Sequence, residues 1–160
     1  MTGLADVQRW LYRGGRPNRL AKFLNGAGVL WSGLGIVPRS ATLEVRGRRT
    51  GRTIRFPMVC AEQDGEQYLV SMLGPDANWV LNVQAAGGNA VLKQGRRRPV
   101  RLEPVPVERR PAILTDYLAH APGARPHLPI HRDMPAEQFA RAAAQVPVFH
   151  VVQRPGDTSP

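Results

Sequence analysis

Cysteine is almost absent from this chain: Cys60 stands alone among 160 residues. One thiol excludes an internal disulfide framework and any multi-cysteine metal site, and it suits a reducing compartment, so the cytoplasm is the expected location. Aromatic residues make up only 6% of the sequence, too few to interleave with the basic residues as a single-strand nucleic-acid surface requires. Acidic residues are scarce as well, 12 against 22 lysines and arginines, which leaves a formal charge of +10. No apolar run reaches the roughly 20 residues that cross a bilayer. The stretch from Phe23 to Val37 is interrupted by Asn25, Ser32 and several glycines and alanines, and no signal peptide is evident at the start. A dinucleotide fingerprint is missing, since Gly26 and Gly28 follow no strand and the third glycine is misplaced. His127 and His131 are four apart, but Pro126 and Pro129 forbid the helix that would align them, so no metal site is expected. Ser71 has no nearby histidine or acid to make it a nucleophile.

What is present fits one domain with a real core. The positive charge predicts a polyanionic partner: nucleic acid, an acidic membrane or a multiply charged cofactor. All the basic residues except Lys22 and Lys93 are arginine, whose planar fork grips phosphate or carboxylate bidentately.

Residues 1–38 read as a helical arm, with Leu4, Val7, Trp10 and Leu11 at helical spacing and a second helical stretch from about Leu20. Basic residues around Trp10, Phe23 and Trp31 make the arm a candidate for peripheral contact with an anionic membrane; packing across the rest of the domain is the competing expectation. From Ala41 the apolar period changes to two. Strands are expected near Ala41 to Arg46, Arg55 to Glu62, Gln67 to Met72, Ala90 to Lys93, Arg98 to Val107 and Val146 to Gln153. Asp64-Gly65 is a strong hairpin signal. Helices are expected at Asn78 to Ala86 with Asp76 as cap, at Pro111 to His120, and from about Pro135 with Phe139, Ala142 and Ala143 inward. Residues 121–134 read as an ordered loop or lid. About six short strands with interposed helices predict a mainly β, α+β fold, an antiparallel split β-barrel of flavin-reductase type spanning 39–153, with a frayed tail at 154–160.

The turn Gly47-Arg48-Arg49-Thr50-Gly51 reads as an anion cradle: two glycines permit a tight bend, two arginines bring charge, and Thr50 brings a hydroxyl. An ordinary arginine-decorated hairpin turn is the bland alternative. Taken in order with Pro57, the Tyr68-Leu69-Val70-Ser71 strand, Asn78-Trp79-Val80-Leu81-Asn82 and Ala85-Ala86-Gly87, this turn resembles the deazaflavin (coenzyme F420)-dependent nitroreductase and quinone reductase family over roughly residues 40 to 152.

That resemblance implies a split barrel that binds reduced coenzyme F420 and passes its hydride to a quinone-like or nitroaromatic acceptor. It implies that Arg48, Arg49 and Thr50 hold the phosphate and oligoglutamate tail. Arg55, Phe56, Pro57, Met58 and Val59 would lie along the ring and its linker. Leu69, Val70, Ser71 and Met72, with Ser71 as hydroxyl donor, and Asn78, Trp79, Val80 and Asn82 would complete the pocket. In that pocket Trp79 would wall the ring, unless it is a core aromatic, and Asn82 would hydrogen-bond the cofactor's side chain. The chain departs from nitro-reducing relatives at Pro135, Gln138 and Phe139, where those have tyrosines. Tyr117, His127 and His131 are candidate proton sources. Two alternatives stand beside this reading: a basic nucleic-acid binder built on Arg96-Arg97-Arg98, Arg101 and the Gly47 turn, which is the disfavoured partner class, and the same barrel holding FMN or haem, with FMN ranked below F420.

Overall fold

A computed structural model describes residues 39–155. The expected helical arm, the membrane contact expected of it and the last residues of the tail fall outside them. Alternating apolar and polar positions produce seven strands: β1 (Ser40–Arg46), β2 (Thr53–Val59), β3 (Ala61–Gln63), β4 (Glu66–Val70), β5 (Asn89–Gln94), β6 (Arg96–Pro104) and β7 (Val148–Gln153). Helix α1 (Asn78–Ala85) precedes β5, and α2 (Arg110–His120) and α3 (Ala136–Ala143) lie between β6 and β7. The sheet is antiparallel throughout, in the order β2-β1-β5-β6-β7-β4-β3.

Its two edge strands, β2 and β3, are separated by Cys60 alone. They are the two arms of one bent strand, so the sheet curls until its edges meet, the split-barrel architecture. The stretch expected as one strand, Arg55 to Glu62, therefore divides into two strands that pair with opposite ends of the sheet. At the bend the Cys60 N–H donates to the Arg39 carbonyl at 2.7 Å, extending the β1–β2 ladder by one rung. The Asp64-Gly65 hairpin forms as the sequence indicates. Both residues have positive φ, 52° and 79°, as a type I′ turn requires.

Alternation along the strands feeds two apolar layers. Leu43, Val45, Leu69, Leu92, Val100 and Phe149 fill the barrel, and α1 closes it with Trp79, Val80 and Val83. On the other face, Tyr68, Val70 and Val148 pack against Ile113, Leu114 and Leu118 of α2 and Ala143 of α3. The 121–134 segment is tied down by Leu128 and Ile130, which are buried in this second layer. Ala77, with no side-chain capping bond, occupies the N-cap of α1, which corrects the expectation for Asp76. That residue lies one position too early and is solvent-exposed.

Arg110 ties the second layer to the sheet. Its Nε donates to the Val105 carbonyl at 3.1 Å, and its Nη1 donates to the carbonyls of Ala144 and Val146 at 2.9 and 3.2 Å. Hydrogen bonds from a charged group are worth roughly 1.5–3 kcal/mol, so Arg110→Ala should lower unfolding free energy by about 2 kcal/mol or more. Chemical denaturation measures this, and a loss below about 0.5 kcal/mol would show that the anchor is dispensable.

Candidate functional site

The Gly47–Gly51 bend sits where β1 hands over to β2. Gly47 N–H donates to the Arg52 carbonyl at 2.8 Å, the last rung of the ladder, and Gly51 N–H returns to the Gly47 carbonyl at 2.9 Å. Gly51 has φ of +72°, and a Cβ there would lie 3.4 Å from the Arg46 guanidinium. Glycine thus supplies a left-handed residue and room for Arg46 to fold across the bend. Arg48, Arg49 and Thr50 are left exposed at the tip.

An exposed bend of this kind needs an anchor, and α1 provides it. Asn82 is buried, at 2% exposure. Its Oδ1 accepts from the Arg48 backbone N–H at 3.2 Å and from Arg48 Nη1 at 2.8 Å. One carboxamide oxygen therefore fixes both the main chain and the side chain of the first tip arginine. This oxygen is thus engaged with the turn itself.

Between the bend and the end of α1 lies a cleft of about 740 Å³, walled by Arg46, Arg48, Arg49, Thr50, Ala85, Ala86 and Asn89 with both glycines. Its volume is in the range of small-molecule sites. Among the described residues no carboxylate lines it, so the wall they form is a concentrated positive field. Arg46 and Asn89 were not singled out from the sequence. Arg46 could have been, since it directly precedes the first glycine and alternates outward from buried Val45.

The remaining expected residues divide among several places. The rungs at Arg52 and Cys60 set the phase of β2: the main-chain groups of Ile54, Phe56 and Met58 point to β1, and those of Arg55, Pro57 and Val59 point away. Pro57, with no N–H, stands where the ladder needs none. Phe56 and Met58 pack half-buried on the barrel core and Val59 on the second layer. Leu69, Val70 and Val80 are core. Trp79 is core as well, edge-on to Phe149 at 5.5 Å between centroids. Asn78 begins α1 half-buried.

Ser71 and Met72 line a separate cavity of about 270 Å³, with His127 and Gln145 opposite. Ser71 Oγ donates to the Gly74 carbonyl at 2.5 Å, so its proton serves its own turn. Among the described residues, this cavity and the arginine cleft have no lining residue in common. Tyr117 is buried, and that burial raises its hydroxyl pKa above the ordinary value, so the group stays protonated near neutrality.

The arginine run of β6 is partly engaged with the sheet. Arg98 Nη2 donates to Gln67 Oε1 at 2.8 Å, and Arg97 Nη2 lies 2.6 Å from Glu44 Oε2. Burial pushes the Glu44 carboxyl upward, but the hydrogen bond and charge of Arg97, with Arg55 at 3.5 Å, outweigh it and hold the pKa below 4.5.

A family model described as F420H(2)-dependent quinone reductase matches residues 21–135. Among solved structures, the chain is similar to an F420-H2 dependent reductase at 17% identity and a TM-score of 0.51, over 71% of this chain and 94% of that one. It is similar to a protein described as a domain-swapped dimer at 15% identity and TM-score 0.51, over 83% and 93%. It also resembles a protein of unknown function from Agrobacterium tumefaciens at 11% identity and TM-score 0.53, over 87% and 59%. At these identities the likenesses show the fold. No curated protein matches the chain.

Two outcomes follow from this geometry. Asn82→Ala should expose the Arg48 amide to rapid hydrogen exchange and lower stability by about 1–3 kcal/mol; unchanged protection of that amide would mean the bend holds itself. Because the Glu44 pKa is lower folded than unfolded, its contribution is complete above about pH 4.5 and is lost as pH falls through the folded value. Wild type should therefore lose more stability than Glu44→Gln on acidification from about pH 5 to about pH 3, and parallel acid limbs in denaturation would contradict the ion pairs.

Proposed function

The chain belongs to the F420H(2)-dependent quinone reductase family, and from that membership we propose that it transfers hydride from reduced coenzyme F420 to a quinone-like acceptor, holding the coenzyme's anionic tail in the arginine-walled cleft. Coenzyme F420 is the cofactor of this family, and its members are oxidoreductases. The observation that carries the placement is the donor set. Arg46, Arg48, Arg49 and Thr50 line one cleft with no carboxylate among the described residues, and that is the chemistry a phosphate and a run of glutamates require.

When bound, the reduced deazaflavin supplies a hydride, so an acceptor gains two electrons in one step. The protein contributes grip and orientation. Arg49 and Arg46 offer charge-assisted donors, Thr50 a hydroxyl, and Arg48 a guanidinium held in place by Asn82. The main-chain groups of Arg55 and Val59, and the Pro57 carbonyl, face away from β1 and are suited to pair with the edge of a heterocycle. The acceptor is read as quinone-like rather than nitroaromatic. Pro135, Gln138 and Phe139 bring no phenolic hydroxyl to the segment before β7, and Phe139 packs against the second core layer.

Absorbance titration with coenzyme F420 beside FMN tests the reading. Binding of F420 in the micromolar range, weakened roughly tenfold by Arg49→Ala, about the loss of one charge-assisted contact, is the expected result. Failure to bind F420, or equal affinity for FMN, would reject it.

A further inference from the structure

Opposite Ser71 and Met72, the cavity of about 270 Å³ presents His127 and Gln145, with Leu128, Pro129 and Val146 as an apolar wall. Its volume is near the lower bound of small-molecule sites. His127 is half-buried at the end of a short turn of helix, Pro122–His127. The chain is fastened on both sides of it: Arg125 Nε donates to the Leu118 carbonyl at 3.0 Å, and Leu128 is buried in the second layer. Among the described residues that line the cavity, His127 alone changes charge near neutrality. Ser71 commits its proton to Gly74. Met72, in the wall, and Val59, at the end of β2 away from the arginine bend, pack against the same apolar layer. A coenzyme with its tail at the bend and its ring along the outward flank of β2 therefore brings that ring to this side of the barrel.

We propose that His127 is a catalytic residue, the acid that protonates an oxygen of a quinone-like acceptor seated in this cavity. The inference rests on the coenzyme reading above. The acceptor gains two electrons and one hydrogen as the hydride of a reduced deazaflavin. An imidazolium N–H bond of His127 breaks, an O–H bond forms on the acceptor, and the neutral imidazole regains its proton from water. Quinone, hydride and proton together make the neutral hydroquinone, so no charged product is left against the apolar wall. A positioned general acid of this kind is matched to neutral pH by the ordinary range of an imidazole.

The test uses the full chain and duroquinone, whose blocked ring positions prevent addition to thiols. Without coenzyme, duroquinone should shift the His127 ring signals saturably in an NMR titration; absence of that shift overturns the site. In single turnovers with reduced coenzyme F420, the wild-type rate should fall as pH rises between about 5 and 8. His127→Gln should be roughly a hundredfold slower, the low end for general acid catalysis, and flat over that range, with coenzyme affinity unchanged. His127→Ala should be partly restored by added imidazole, which a merely structural role would not allow. An unchanged rate or the same pH limb in His127→Gln, or no rescue by imidazole, overturns the assignment. Failure of wild type to bind coenzyme F420 overturns instead the reading on which it rests, and the inference with it.

Discussion

One buried carboxamide oxygen organises the face of this protein that matters. Asn82 Oδ1 receives two donors from Arg48, a residue 34 positions earlier in the chain, and so couples an exposed bend to the helix that plugs the barrel. A free surface arginine samples many rotamers, and ordering it on a ligand has an entropic cost of roughly 1.5–2 kcal/mol. Here the fold has already ordered it. The same helix delivers Ala85 and Ala86 to the opposite wall of the cleft, so one element sets both the position of the charge and the width of the gap.

The barrel makes that arrangement possible. Since β2 and β3 meet at Cys60, the sheet closes without leaving two long free edges, and the exposed flank of β2 runs directly from the arginine bend. Cys60 has a structural place at this seam. Burial raises its thiol to about 11, so it stays protonated near neutrality and is a poor nucleophile. The chemistry of the chain is therefore concentrated in exposed arginines and outward main-chain groups, consistent with an enzyme whose reactive atom belongs to its cofactor.

Much of this was legible in the residues. Asp64-Gly65 specified its turn because two positive φ angles leave few other choices, and the period-two pattern of Leu43 and Val45 placed β1. The tight bend was visible in Gly47 to Gly51. What escaped were contacts between residues distant in sequence. Nothing local tells that Asn82 turns its oxygen to Arg48, that Arg46 crosses Gly51, or that Ser71 spends its proton on Gly74, because each depends on which elements the closed sheet brings together. The strand through Cys60 was misjudged for the same reason: its pattern is continuous, and only pairing to opposite ends of the sheet divides it. Asp76 failed as a cap because the turn after Gly74 runs one residue further than composition suggested.

By fixing Arg48, Asn82 Oδ1 is expected to act on coenzyme binding. A double-mutant cycle read by coenzyme F420 affinity tests it most directly. Asn82→Ala should weaken binding roughly tenfold in the wild-type background and less than about twofold when Arg48 is already alanine. An equal effect of Asn82→Ala in both backgrounds would contradict it.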